Sequence, residues 1–81
     1  MEIHLRWFGL LAEHRGRRSE TVSVTEGITG AQLLDQFAEE LPVLQQFRPH
    51  VRLAVNHAYE AETIALNEGD EVALITPVSG G

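Results

Sequence analysis

The residues of this chain best suited to chemistry are its last six, Thr76-Pro77-Val78-Ser79-Gly80-Gly81. Pro77 removes a backbone donor, so a strand arriving from the N-terminal side cannot continue as a regular central strand, and the segment leaves the sheet. Gly80 and Gly81 have no side chains. They can thread a narrow channel and place the carboxylate of Gly81 against the active site of another protein. The other reactive residue types form no comparable constellation. His4, His14, His50 and His57 show neither i, i+3 or i, i+4 spacing nor an HExxH pattern, so no metal site is predicted and they are read as surface residues. Glu39-Glu40 and Asp70-Glu71 are adjacent carboxylates, but they fit a solvated helix face and a turn, and no apolar pocket is indicated that would separate their pKa values. Ser19, Ser23 and Ser79 lack a nucleophile-elbow setting, and no serine opens a helix in the way a phosphopantetheine arm requires. With no cysteine, disulfides, thiolate zinc sites, cysteine-held clusters and cysteine nucleophiles are all excluded.

Composition bounds the partners. The chain has 81 residues, 43% of them apolar, and twelve acidic residues against six basic ones, all six arginine. That length supports one core and no more. A formal charge of -6 opposes binding to nucleic acid or an anionic membrane and favours a basic protein partner. The apolar runs are short, and the opening Met1-Glu2-Ile3-His4 is not a basic stretch leading into an apolar one, so a cytoplasmic location is expected. The chain contains no thiol and no ε-amine that could attack an acyl group of its own.

The elements that must hold this terminus are legible from periodicity. Ile3, Leu5 and Trp7 alternate with His4, Arg6 and Phe8, as in a strand with one buried face. Leu10 to Arg15 reads as a short helix closed by Gly16 in the left-handed conformation. Glu20 to Val24 alternates again. Thr29 and Gln32 match a capping box, with Ile28 and Leu33 at the positions of a hydrophobic staple, so a helix starts near residue 30. Its apolar stripe is Leu33, Leu34, Phe37, Ala38 and Leu41, and Pro42 stops it. Val43 to Phe47 is read as a further turn. Val51, Leu53 and Val55 give another strand, followed by a short strand or bend around Tyr59. Asn67-Glu68-Gly69-Asp70 is a turn leading into a last strand, Glu71 to Ile75. The order predicts an α+β fold in which a mixed sheet packs on one main helix. The first and last strands can then pair in parallel through a right-handed crossover, the β-grasp (ubiquitin-like) arrangement. Residues 1–76 are expected to form that domain and 77–81 a flexible tail.

Several segments together resemble the small-subunit family of molybdopterin synthase, within the ubiquitin-like sulfur-carrier superfamily that includes the thiamine-pathway carrier. They are Trp7-Phe8-Gly9-Leu10-Leu11-Ala12-Glu13 with Gly16, Ala54-Val55-Asn56, Glu68-Gly69-Asp70-Glu71-Val72-Ala73, and Pro77-Val78-Ser79-Gly80-Gly81. Thr76 stands where the family often has a second proline, and Ala12 where it often has an arginine. The resemblance implies that an E1-like enzyme adenylates Gly81 with ATP, that a sulfur donor enzyme converts the adenylate to a thiocarboxylate, and that Pro77, Val78, Ser79, Gly80 and Gly81 insert into a large catalytic subunit. There, sulfur passes to cyclic pyranopterin monophosphate. The chain itself would carry no cofactor and perform no catalysis. A thiamine-pathway carrier and a ubiquitin-like protein modifier are the alternatives, and the Leu10 to Arg15 segment favours the molybdopterin branch.

Strand alternation also predicts a docking surface. With Ile3, Leu5, Trp7, Val72 and Leu74 turned to the helix, Phe8, Ala73 and Ile75 face the other side of the sheet. Parallel pairing of those strands places Phe8 and Ile75 together near the root of the tail. By resemblance, Tyr59 joins the same patch.

Overall fold

A computed structural model describes residues 1–76; the expectations at Pro77, Val78, Ser79, Gly80 and Gly81 lie outside the described residues. In chain order the elements are β1 (Glu2–Trp7), α1 (Gly9–Arg15), β2 (Ser19–Ser23), α2 (Gly30–Glu40), α3 (Pro42–Phe47), a 3-10 turn (Arg48–His50), β3 (Arg52–Val55), β4 (Ala58–Glu60) and β5 (Glu71–Ile75). The described strands make one mixed sheet in the order β2-β1-β5-β3-β4. β1 and β5 are parallel, in the register Leu5↔Val72, Arg6↔Ala73, Trp7↔Leu74, and the other neighbours are antiparallel. This is the β-grasp arrangement expected from the sequence. No helix among the described residues is long and apolar enough to cross a membrane.

Alternation turns Ile3, Leu5, Trp7, Val72 and Leu74 inward, all essentially solvent-free. They meet the stripe expected of α2: Leu33, Leu34, Phe37 and Leu41 are buried, while Ala38 is half-buried at its edge. Trp7 and Phe37 pack edge to face, with ring centroids 5.5 Å apart. Leu11 of α1 and Leu44 of α3 close the ends of this core.

The helix boundaries have local causes. Thr29 Oγ1 accepts from the Gln32 amide at 3.2 Å, and Gln32 Oε1 accepts from the Thr29 amide at 2.9 Å, completing the capping box. Two further amides of the first turn, those of Gly30 and Ala31, donate to the carbonyls of Ile64 and Glu62 at 3.0 and 2.8 Å. The segment after β4 therefore serves as a backbone cap for α2, satisfying donors a helix N-terminus leaves open. Arg48 fastens the same junction, reaching Asp35 at 3.1 Å and Glu62 at 2.9 Å. At the other end Pro42 drives Leu41 into extended geometry, φ -128° and ψ 94°, and then serves as the first residue of α3.

Several boundaries differ from the sequence reading by one residue: α3 begins at Pro42 and β3 at Arg52, leaving Val51 outside the strand. β2 runs from Ser19 to Ser23 rather than from Glu20 to Val24, because Ser19 pairs with Arg6 while Val24 exchanges backbone bonds with Met1. α1 begins at Gly9, whose φ of +51° suits a residue without a side chain. One feature was not legible at all: Glu20 occupies an inward position of β2. Its carboxylate accepts from Trp7 Nε1 at 2.7 Å and from Arg15 Nε and Nη2 at 2.6 and 2.8 Å. The Arg15 hydrogen bonds, reinforced by Trp7, hold the Glu20 carboxyl below the usual carboxylate range despite the opposing effect of burial.

A folded-state pKa below the unfolded value means stability that is present above the unfolded pKa and lost as pH falls through the folded one. Glu20→Gln should therefore destabilise the domain at neutral pH by about 1–3 kcal/mol. The deficit should shrink on acidification, read as converging thermal midpoints of the two proteins. A second expectation concerns Gly30, where an added Cβ would strike the Leu53 side chain and lie 3.2 Å from the Glu62 carbonyl oxygen. Because Leu53 is buried and Glu62 contributes backbone, neither yields readily, and Gly30→Ala should cost about 1–3 kcal/mol in denaturant unfolding.

Candidate functional site

The face of the sheet turned away from α2 carries the candidate site. Period-2 alternation continues past Trp7, so Arg6 and Phe8 share this face, as do Ala73 and Ile75 of β5. Register sets their neighbours: Arg6, Ala73, Ala54 and Tyr59 form one row across four strands, and Ile75 stands beside Arg52. Ala54 and Ala73 have only methyl side chains, and with Phe8, Tyr59 and Ile75 they line an apolar hollow of about 300 Å³. Phe8 is 43% and Tyr59 62% exposed, so neither closes a core edge. All three residues that the sequence assigned to a docking patch thus line one depression.

The polar rim comes from residues the sequence reading left unused. Glu71 accepts from Arg6 Nη1 at 2.9 Å, and its other oxygen lies 2.9 Å from His57 Nε2. Arg52 stacks over Tyr59 with its guanidinium carbon 4.7 Å from the ring centroid, and Arg6 lies 5.8 Å from that of Phe8. His57 is positioned by a two-residue hairpin between β3 and β4, where Asn56 and His57 both have positive φ, 51° and 73°. Asn56 ties that hairpin to β5: its side chain donates to Asp70 at 3.0 Å and accepts from the Glu71 amide at 3.0 Å. Arg6 and Arg52 were findable, since each lies two residues from, or opposite, a residue assigned to the outer face. His57 required knowledge of the hairpin.

The tail root adjoins the hollow. Thr76, the last described residue, lines a neighbouring depression with Ile75, Tyr59, Arg52 and His50. Gly81 and the rest of the expected insertion segment lie outside the described residues. Among the described residues no group of three His, Asp or Glu side chains is placed to hold a metal ion. Open apolar floors with charged rims suit recognition of another surface.

Comparison with known proteins agrees with this geometry. The model of the ThiS family matches residues 5–81. The human molybdopterin synthase sulfur carrier subunit is 35% identical over 83 residues, covering 99% of this chain and 94% of its own. The crystal structure of small archaeal modifier protein 1 from Haloferax volcanii superimposes with a TM-score of 0.80 at 29% identity, covering 95% of this chain and 98% of that one. A chain of the complex of subunits 1 and 2 of the molybdopterin-converting factor from Helicobacter pylori shares the fold, with a TM-score of 0.68, 21% identity and full coverage of both. The fold, the family match and the full-length similarity to a curated sulfur carrier lead to one conclusion: the chain belongs to the ThiS family.

Proposed function

We propose that this chain is a sulfur carrier, the small subunit of a molybdopterin synthase acting in the cytoplasm. The observation that carries the reading is similarity along the whole chain to sulfur carrier subunits of that synthase, with a family match that runs through the glycine pair to residue 81. A free carboxylate is a poor electrophile, so activation must come first. The Gly81 carboxylate attacks the α-phosphorus of ATP on an E1-like enzyme, forming an acyl adenylate and releasing pyrophosphate. A donor enzyme then delivers sulfur at the sulfide level, which attacks the acyl carbon, displaces AMP and leaves a C-terminal thiocarboxylate. Residues 77–81 enter the active site of a large catalytic subunit, where the thiocarboxylate sulfur passes to cyclic pyranopterin monophosphate and two such transfers build the dithiolene. The partners supply the acid, base and phosphate-binding groups, and this chain contributes its terminus and the surface that aims it.

Phe8, Tyr59 and Ile75 are the proposed contacts with both the activating enzyme and the catalytic subunit. Both partners must receive the same tail, and a patch at its root is the shortest way to aim it. The two complexes would then exclude one another. A second reading, conjugation to proteins, is supported by the likeness to the archaeal modifier protein. It requires isopeptide adducts on lysines of other proteins, recoverable after denaturing purification.

Removing Gly81, or extending the chain beyond it, should abolish pyrophosphate release by the E1-like enzyme with ATP, while the thermal midpoint stays unchanged. Pyrophosphate release at the normal rate from the shortened chain would refute the assignment. Phe8→Ala should weaken both complexes by about tenfold or more in calorimetric titration, because an anchoring aromatic at an interface is worth about 2 kcal/mol and a decade of affinity about 1.4 kcal/mol. Its melting temperature should barely move, since Phe8 is outside the buried core.

A further inference from the structure

Net acidity favours a basic partner, yet charge on this molecule is segregated. The hollow at Phe8 and Tyr59 continues on both sides. Toward α1 it shares Arg6 and Phe8 with a groove that also takes in Leu10, Glu13, Arg17 and Arg18. Toward the 3-10 turn it shares Tyr59 and Ile75 with the depression beside Arg52 and Thr76. One apolar strip with exposed Phe8, Leu10 and Tyr59 is thereby bordered by Arg6, Arg17, Arg18 and Arg52. Glu13 and Glu71 are the acidic side chains that line it, and the remaining Asp and Glu residues of the chain lie elsewhere.

The two arginines absent from the strip are consumed internally, Arg15 by Glu20 and Glu40, and Arg48 by Asp35 and Glu62. On the strip Arg6 pairs with Glu71, and the other three arginines are largely spare. Among the described residues neither Arg18 nor Arg52 forms an ion pair, and Arg17 reaches Glu20 only at 3.7 Å with its side chain 58% exposed. Unpaired, forked guanidinium groups flanking apolar side chains are complementary to carboxylates that flank an apolar residue. A long polyanion fits less well, because with a Cα radius of gyration of only 11.7 Å its flanking phosphates would pass within about one or two Debye lengths of the acidic remainder.

We propose that this arginine-bordered strip is the docking surface for a folded protein partner that presents Asp and Glu side chains around an apolar centre, and that the arginines set the association rate and orientation. The inference rests on the sulfur-carrier reading only for the choice of partner to test. The probe is the large catalytic subunit of molybdopterin synthase encoded in the same genome. Its association with the wild-type chain is followed by stopped flow at about 0.05 and about 0.5 M NaCl, where the screening length falls severalfold. The Arg18→Glu/Arg52→Glu variant is compared, since neither residue holds an internal ion pair and a thermal melt verifies folding. The expected result is an association rate that drops by about tenfold or more with salt, and a variant that is about tenfold slower at low salt with a flattened salt dependence. Dissociation should change less. Thiocarboxylate formation, read separately by intact mass, isolates the sulfur-carrier reading: its absence would remove that reading while a salt-dependent association still supports the strip. Salt-insensitive association, equal rates for wild type and variant, comparable affinity for a single-stranded RNA oligonucleotide, or strip-dependent self-association in sedimentation would each overturn the proposal.

Discussion

The parallel pairing of β1 with β5 is the constraint on which the rest of this structure depends. It joins the two ends of the domain at the centre of the sheet, so everything between residues 8 and 70 must be accommodated as a crossover or as strands added outside that pair. It also fixes which side chains belong to the core. Side-chain direction alternates strictly along a strand, and a slip of one residue would bury Phe8, Ala73 and Ile75 while exposing Trp7, Val72 and Leu74. Losing the burial of Trp7 and Leu74 alone would cost several kcal/mol, a large share of the stability of so small a domain. The register is therefore held firmly, and with it the position of the tail root beside Phe8.

Two polar fastenings hold the helices to this sheet. Glu20 collects Trp7 and Arg15 at one end, joining β2, β1 and α1, and Arg15 also lies over the rings of Trp7 and Phe37. Arg48 collects Asp35 and Glu62 at the other, joining α2 to the segment that caps it. Both leave the outer face free of structural duty. The apolar and cationic side chains there are not needed to satisfy the core, which is why their grouping at the tail root is informative.

Most of the fold was legible because its signals are local and strong. Alternation at Ile3, Leu5 and Trp7, the Thr29/Gln32 capping box, Pro42 and the turn at Asn67 to Asp70 each have a single structural solution, and together they leave little choice of topology. Phe8 and Ile75 followed from the same alternation, and Tyr59 from resemblance. What escaped were interactions set by tertiary register. Glu20 reads as an ordinary strand glutamate until Trp7 and Arg15 are placed across from it. The Arg6, Glu71 and His57 chain needs the β1, β5 and hairpin positions at once, and charge segregation is invisible in a net value of -6.

On the proposed function, a β-grasp domain with an apolar hollow beside the end of its central strand β5 can present the same face to each partner in turn. Under the proposed sulfur-carrier function, the domain contributes address and aim, and the chemistry resides in one carboxyl group that a partner enzyme must activate. That claim is tested most directly by the intact mass of the protein purified from its native cells. Sulfur carriage predicts a population heavier by the exchange of one carboxylate oxygen for sulfur, with the difference confined to Gly81 on fragmentation. A terminus found only as the free carboxylate, even when the activating enzyme, ATP and a sulfur donor are supplied, would contradict it.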